Sequence, residues 1–311
     1  MEQARTDLLM GIAVKKQEVS IIMENLQNNG FSLKTFGANV NTLLARPYAR
    51  AISGFKAKLP LSIEKEQFIV KTASDEFELE QALRLRHDVF IAELLGRRRL
   101  FGIDIDRYDM MCDHLLVVEK GSEAVIATYR LNSDRYSDRF YSENEFELGG
   151  LFALPGVKLE IGRACVQREY RRGNVMGLLW EGIYAYLGAL GAQYIFGCSS
   201  IMTTDLAEIA LAHRFFKGAG YHRDDLGVEP VGKYRIGNFP EIMRSIASLS
   251  FAEVTARSEK LVPRLVRDYF KFGARICGEP ALDRSFKCAD VLTLLDMSFL
   301  NHSYKEERFV K

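Results

Sequence analysis

Leu159-Glu160-Ile161-Gly162-Arg163-Ala164-Cys165-Val166 is followed closely by Tyr170-Arg171-Arg172-Gly173-Asn174, and these two stretches decide how the chain is read. The first has the apolar content of a buried strand, yet it carries Glu160 and Arg163. Strand side chains alternate between faces, so residues three apart normally point opposite ways. A bulge at Gly162 would bring both charges to one face and splay the strand. The second stretch is a basic, glycine-bearing turn. It opens an apolar helix from Val175 to about Leu190. Strand, basic turn, helix is a phosphate-binding layout, because helix-start N–H groups and arginines direct positive charge at one place. The plainer alternative stays open: Glu160 and Arg163 as an ordinary ion pair, and a solvated Arg-Arg-Gly turn.

The chain has 311 residues, 48% of them hydrophobic and 27% charged, which suits a globular protein with a sizeable core. The formal net charge of +1 gives no global case for nucleic acid. Five cysteines (Cys112, Cys165, Cys198, Cys277, Cys288) are scattered without a Cys-x-x-Cys pair. This argues against a disulfide framework or a zinc site, and no metal is expected; a reducing cytoplasm fits best. No apolar run reaches the roughly 18 residues of a spanning helix, and Leu8 to Val14 is too short for a secretory signal.

Residues 1–65 differ from the rest. Between Asn25 and Ile63 there is no Asp or Glu, but Lys34, Arg46, Arg50, Lys56 and Lys58 occur there. Leu44, Tyr48, Ala51, Ile52, Phe55 and Leu59 recur at helical spacing, with Pro47 in a first-turn position. A basic amphipathic helix of this kind lies on an anionic membrane surface or packs on a larger domain. From Glu66 the pattern alternates. A strand over Phe68 to Thr72 precedes a helix capped by Asp75 and running to about Leu94, with Arg86 and Phe90 on one face. A basic loop follows, Gly96-Arg97-Arg98-Arg99. A hairpin joins His114–Val118 to Val125–Leu131. Beyond the central strand and helix come a strand from Gln193, a helix capped by Asp205, a helix around Leu261 to Phe272, a turn at Gly278-Glu279-Pro280 and a strand at Val291 to Leu295. Three units are expected: a basic extension (1–65), a core (66–225) and a C-terminal lobe (226–311).

This order of elements resembles the GNAT acyltransferase fold. The charged residues resemble its branch that uses acyl-carrier-protein thioesters, namely acyl-homoserine-lactone synthases and the ornithine-lipid N-acyltransferases often labelled hemolysin-like. The matching residues are Arg86 and Phe90 in Arg-x-x-x-Phe, Asp106 and Asp109 in Asp-x-x-Asp, Cys112 to Val117, Tyr129-Arg130-Leu131, Phe140 to Glu143 with Phe146, and Glu160 with Arg163. Cys277-Gly278-Glu279-Pro280-Ala281 and Ala289-Asp290 look like the ornithine-lipid group. The likeness covers 68–225 and 260–305 but not 1–65. Two departures stand out. Ordinary GNATs carry Arg/Gln-x-x-Gly-x-Gly/Ala at the pyrophosphate turn, whereas Arg171-Arg172-Gly173-Asn174-Val175-Met176 lacks the second small residue. This favours one phosphate on a pantetheine arm over the diphosphate of coenzyme A. The Trp that homoserine-lactone synthases carry after Arg-x-x-x-Phe is absent, and the single Trp is Trp180.

The resemblance implies an α+β protein with a mixed central sheet flanked by helices. It implies transfer of a long, 3-hydroxylated acyl group to the α-amine of an amino acid, ornithine first among the candidates. Glycine, glutamine or lysine as acceptor, a coenzyme A-dependent acetyltransferase, and a non-catalytic lipid or carrier sensor are the alternatives. No permanent cofactor is expected; acyl-acyl carrier protein or acyl-coenzyme A is a co-substrate. Amide formation needs a neutral amine, a stabilised oxyanion and a protonated leaving thiolate. Glu160, Arg163 and Asp109 are the catalytic candidates, Glu160 as base. Arg86, Phe90, Asp106, Arg130 and Phe146 are assigned to the acceptor. The backbone at Ala164 and Cys165, with Arg171, Arg172 and Gly173, is assigned to the donor. Arg97, Arg98 and Arg99 would dock the acidic carrier protein. His114 is expected to be structural, Cys165 an inert buried thiol and Tyr170 a packing residue. The protein is expected in the cytoplasm, peripheral on the inner membrane, with no nucleic-acid partner.

Overall fold

Strand β1 (Ser62–Glu64) is the first strand in the computed structural model, which describes residues 48–99 and 101–299. Next come β2 (Phe68–Thr72) and α1 (Glu76–Arg86). Asp75 caps α1, its side chain accepting from the N–H groups of Phe77 and Glu78. The helix expected to run on to Leu94 changes winding at His87, and His87–Leu94 is a π-helix. Such segments are rare and cluster at functional sites. β3 (Asp113–Glu119) and β4 (Ala124–Ser133) form the expected hairpin. A 3-10 turn, Tyr141–Asn144, leads to β5 (Phe146–Glu147) and β6 (Val157–Val166). Helix α2 (Val175–Leu190) ends at Gly191, whose φ of 68° is the left-handed conformation of a C-terminal stop. β7 (Ala192–Ile201), α3 (Leu206–Gly218), β8 (His222–Arg223) and β9 (Glu229–Pro230) follow. The chain closes with α4 (Phe239–Ser245), α5 (Phe251–Ser258), α6 (Arg264–Lys271), β10 (Arg275–Asp283) and β11 (Cys288–Asp296).

Nine strands make one sheet in the order β1-β2-β3-β4-β6-β7-β11-β10-β8, while β5 and β9 pair separately. Within it β6/β7 and β10/β8 are parallel and the other pairs antiparallel. Two apolar layers flank it. Tyr129 and Leu131 of β4 join the cluster under α2, with Leu115, Leu179 and Ile183. Arg130 between them faces the opposite side, where α1 lies across β4 and β6.

Three expectations change here. Asp113 accepts the N–H groups of Lys58 (2.7 Å) and Leu59 (2.9 Å), and β1 pairs with β2, so residues 54–64 belong to the sheet and the unit boundary falls at Ser53/Gly54 instead of residue 65. Of the helix expected around Leu44 to Leu59, residues 48–52 are helical, Phe55 and Leu59 lie beyond its end, and the part before Tyr48, with Lys34, Arg46 and Pro47, lies outside the described residues. The 226–311 region is no separate lobe, because β11 pairs with β7 along its whole length. Nor does Gly278-Glu279-Pro280 reverse the chain. It is an irregularity inside β10, where Gly278 has φ 72° and a Cβ would stand 2.1 Å from the Val228 carbonyl oxygen. Among the described residues no helix is long and apolar enough to cross a membrane.

Candidate active site

The parallel contact of β6 and β7 runs from Val157/Ala192 to Glu160/Phe196 and then stops, so the two strands part beyond Glu160. On its other edge β6 stays paired with β4 but slips: Gly162 faces Arg130 and Cys165 faces Thr128, leaving Arg163 and Ala164 opposite Tyr129. The bulge is therefore one residue later than expected. Arg163, not Gly162, carries it, with φ 53°. Gly197 holds the crossing point tight, since a Cβ there would lie 2.2 Å from the Ile161 carbonyl oxygen.

The parting opens a cavity of about 270 Å³ lined by Gly162, Arg163 and Ala164 of β6 and Gly197 to Ser200 of β7. Phe90 and Leu94 of the π-helical segment also border it. Its ends differ in chemistry because they lie on opposite faces of the sheet. Leu295, Tyr269 and Leu265 belong to the apolar layer under α2. Asp290 alternates with Val291 on β11, sharing a face with Leu292 and Leu294, which pack with Phe140 and Phe196 in the other layer. Thus one wall is apolar, and the other carries Glu145, Glu160, Asp283 and Asp290.

Glu160 is buried and makes no ion pair with Arg130 or Arg163. Its Oε1 accepts from Ser142 N–H and Oγ, both 2.7 Å, and its Oε2 accepts from Tyr141 N–H at 2.9 Å. Burial raises its pKa, partly offset by these donors and by the charge of Arg130. A carboxylate offers about four acceptor positions, so three donors leave one open.

Behind this wall is an ion network. Arg86 is fully buried and holds Asp104 (Nη2, 2.8 Å) and Asp109 (Nη1, 2.6 Å). Arg130 Nη1 lies 2.7 Å from Asp106 and 3.0 Å from Asp109. Arg163 reaches Asp106 at 3.4 Å and stacks over Tyr141, 4.7 Å from the ring centre, while its Nε has no hydrogen-bond partner. Burial alone would raise the Asp109 carboxyl; Arg86, Arg130 and His114 reverse this and hold it well below the usual range. Burial likewise lowers His114 to about 4, against the pull of Asp109. Its Nε2 meets the Asp109 carbonyl at 3.0 Å, which makes it the structural histidine expected.

Several assignments change accordingly. Arg86 and Asp109 do not border the cavity: they are sealed in the network and position Arg130. Asp106 likewise holds arginines, accepting two bonds from Arg130. Phe146 is core, packed with Phe140, Leu151 and Phe196. Arg171 is clamped to Glu93 by two bonds of 2.6 and 2.8 Å and donates from Nε to the Val166 carbonyl, which leaves no fork for a phosphate. Arg172 and Gly173 remain exposed at the start of α2, where Asn174 makes no side-chain cap. Arg99 is tied to Asp104 at 2.9 Å, whereas Arg97 and Arg98 are exposed. Cys165 is a buried thiol pushed up to about 12 by burial. Tyr170 donates to Glu119 at 2.7 Å. Of the expected residues, Phe90, Arg130, Glu160, Arg163 and Ala164 are brought together at the cavity. Sequence reasoning missed Asp104, and it gave Asp290 only as part of the resemblance at Ala289-Asp290, without joining it to Glu145 and Asp283, which come from separate segments.

A bulged strand parted from its parallel neighbour, with the start of a helix following it, defines the class. Residues 85–181 match the acetyltransferase (GNAT) domain family, and the protein is an acyltransferase. Within that class the chain belongs to the L-ornithine N(alpha)-acyltransferase family. It is 30% identical over 252 residues to the L-ornithine N(alpha)-acyltransferase of Rhizobium meliloti, covering 75% of this chain and 81% of that one. The relative of the same name from Rhodobacter capsulatus is 30% identical over 264 residues, 80% of this chain and 96% of that one. Among solved structures, similarity extends to the coenzyme A-dependent acyl-homoserine lactone synthase BjaI (17% identity, TM-score 0.41, 73% of this chain and 77% of that one). It also extends to FeeM, an N-acyl amino acid synthase from uncultured soil microbes (9% identity, TM-score 0.42, 79% of this chain and 98% of that one).

Proposed function

We propose that the protein moves a long, 3-hydroxylated fatty acyl group from acyl carrier protein to the α-amine of ornithine, giving a lyso-ornithine lipid. The observation that carries this reading is the cavity between β6 and β7, apolar on one face of the sheet and carboxylate-lined on the other. An acyl thioester enters from the apolar side, its chain along Leu265, Val266 and Tyr269. The amino acid enters from the charged side. Arg163, whose Nε lies 3.9 Å from Asp104 without a hydrogen bond, takes the α-carboxylate.

Glu160 accepts a proton from the α-ammonium at its remaining open position, and burial tunes it upward for that task. The amine attacks the thioester carbon, and the backbone N–H at Ala164, within the bulge, receives the oxyanion. The N–C bond forms and the C–S bond breaks. Of the two protons lost by the ammonium group, one passes to the sulfur and one to solvent. With Arg171 held by Glu93, the exposed Arg172 and the α2 N-terminus suit a single phosphate, which favours carrier protein over coenzyme A as donor. Arg97 and Arg98 meet the acidic carrier. We place the enzyme at the cytoplasmic face of a membrane, where its amphiphilic product partitions.

The test is acyl transfer by the full-length protein, with 3-hydroxyacyl-acyl carrier protein and ornithine as substrates and mass spectrometry of the product. N-acyl ornithine is expected, and more slowly with the coenzyme A thioester. Glu160→Gln, which keeps an acceptor for Ser142 but turns an NH2 group toward the Tyr141 N–H, should slow transfer about 100-fold in a protein that stays folded. Full activity of that variant would remove Glu160 from the chemistry.

A further inference from the structure

Three carboxylates that the acyl-transfer steps leave unused meet at the charged wall of the cavity. Oxygens of Glu145, Asp283 and Asp290 lie within 4.8 Å of one another, and the residues are only 1%, 4% and 4% exposed. Asp290 accepts from Ser200 Oγ at 2.5 Å and from Cys288 Sγ at 3.5 Å. Asp283 Oδ1 accepts the N–H groups of Ser285 and Phe286. Glu145 Oε2 is buried without a hydrogen bond of good geometry, and the Glu145 carboxyl faces the Tyr141 hydroxyl and the Asp290 carboxyl. No Lys, Arg or His among the described residues pairs with any of the three. Buried acidic groups without a counter-charge are costly, and a fold that keeps three of them facing a cavity is completed by a cation. Burial raises Glu145 to about 9, helped by the charge of Asp290, and burial also raises Asp290, so the empty cluster holds protons that a cation would displace.

The trio is also tied to the reacting centre. Glu160 is anchored on the N–H groups of Tyr141 and Ser142, and Glu145 stands at the other end of the same 3-10 turn. Tyr141 and Ser142 are three to four residues from Glu145, so at about 2 Å rise per residue the backbone between the two anchor points spans roughly 6–8 Å. That suits a ligand with two amino groups on one short aliphatic chain. An ammonium group has three N–H donors for three carboxylates. A calcium ion takes 6–8 oxygens and a magnesium ion six.

We propose that Glu145, Asp283 and Asp290 form a subsite for the side-chain ammonium of a diamino-acid acceptor, and that the enzyme selects its acceptor by this second positive charge. The inference rests on the reading of the protein as an amino-acid N-acyltransferase and specifies how that site recognises its acceptor. It requires that an acceptor of equal length lacking the terminal amine, norvaline, be a poor substrate.

The experiment has a binding arm and a kinetic arm, both on the full-length protein. Ornithine without acyl donor should raise the melting temperature, and norvaline should not. In Asp290→Asn, which keeps size and removes a buried charge, the free protein should be at least as stable as the wild type and the ornithine shift should vanish. With acyl donor present, kcat/KM for ornithine should fall roughly 30-fold or more, as when a buried charge pair loses one partner, while that for norvaline stays unchanged. Glu145→Gln, on a separate element, should behave alike and serves should Asp290→Asn not fold. Equal use of ornithine and norvaline by the wild type, or equal loss of both in the variants, overturns the subsite while leaving acyl transfer intact. Ornithine binding that depends on the trio, without transfer from any donor, upholds the subsite and removes the acyl-transfer reading. Magnesium, manganese or calcium bound stoichiometrically, lost in Asp290→Asn and not displaced by ornithine, overturns it in favour of a metal.

Discussion

Arg86 shows how burial decides the role of a charged side chain. A fully buried guanidinium needs carboxylates around it, and Asp104 and Asp109 supply them on two sides. Asp109 also takes the backbone N–H of Asp106 at 2.7 Å, so one carboxylate fixes the loop, α1 and β4 together. Asp109→Asn should cost about 3 to 5 kcal/mol in urea unfolding, the scale of breaking a buried pair from one side. Loss of activity at unchanged stability would instead return Asp109 to the chemistry. A second expectation concerns pH. His114 and His213 have folded pKa values lowered by burial to about 4 and about 3. Between those values and the ordinary 6.5 these two sites bind more protons in the unfolded chain than in the native one, so their contribution to stability rises with pH, against the opposite contribution of the raised carboxyls Glu145, Glu160 and Asp290. The stabilisation is complete above about 6.5 and is lost as pH falls toward 4. For His114 the span is about 3 kcal/mol at most. Urea midpoints from pH 7.5 to 4.5 check this, and His114→Gln should flatten the slope.

The π-helical turn after α1 is the element that ties the cavity to the basic turn before α2. Its winding lets Phe90 and Leu94 border the cavity although Arg86, one turn earlier, is sealed behind the sheet. Its Glu93 clasps Arg171 and so fixes the basic turn before α2. Arg97 and Arg98 extend from its end into solvent, whereas Arg99 is anchored on Asp104 and its N–H donates to His87 Nε2 at 3.1 Å. The three arginines therefore separate into two roles. Arg97→Glu with Arg98→Glu should reduce kcat/KM with acyl-acyl carrier protein by about 10-fold or more, and the deficit should shrink as salt rises. A small pantetheine thioester should be used as before. Equal loss with both donors would place these side chains in the fold and not at a docking surface.

At the scale of the whole molecule, nine strands share one sheet, and its two apolar layers meet the cavity from opposite faces. The catalytic unit begins at Gly54, ahead of β1, because Asp113 is held by the backbone of Lys58 and Leu59 and by Tyr186 Oη at 2.8 Å. Removal of residues 1–47, which keeps the buried Tyr48 and Ile52, should leave melting temperature and turnover on soluble donors intact, while binding to anionic vesicles is lost. Removal of residues 1–65 should lower the melting temperature by about 10 °C or more, since two bonds to a buried carboxylate and an edge strand go with it. Vesicle co-sedimentation by the shorter truncation would transfer membrane contact to the catalytic unit.

The period of apolar residues, the Asp75 and Asp205 caps and the stop at Gly191 are local properties, and they determined helices and strands near their observed places. The bulged strand with its two charges was legible for the same reason, since Glu160, Arg163 and the glycine between them lie within a few residues. The bulge itself moved to Arg163, because register against β4 sets it and that pairing is not local. Which arginine holds which carboxylate was decided only by tertiary structure. Arg171 meets Glu93, and Arg86 meets Asp104, through chain reversals that no spacing encodes. Asp290 stands in the Ala289-Asp290 stretch that carries the resemblance, but nothing in the sequence joins it to Glu145 and Asp283, and the three become a cluster only because β10 and β11 join the sheet beside β7. Local propensity acts within a turn or a strand, whereas burial and charge pairing act between segments that meet only when the sheet is complete.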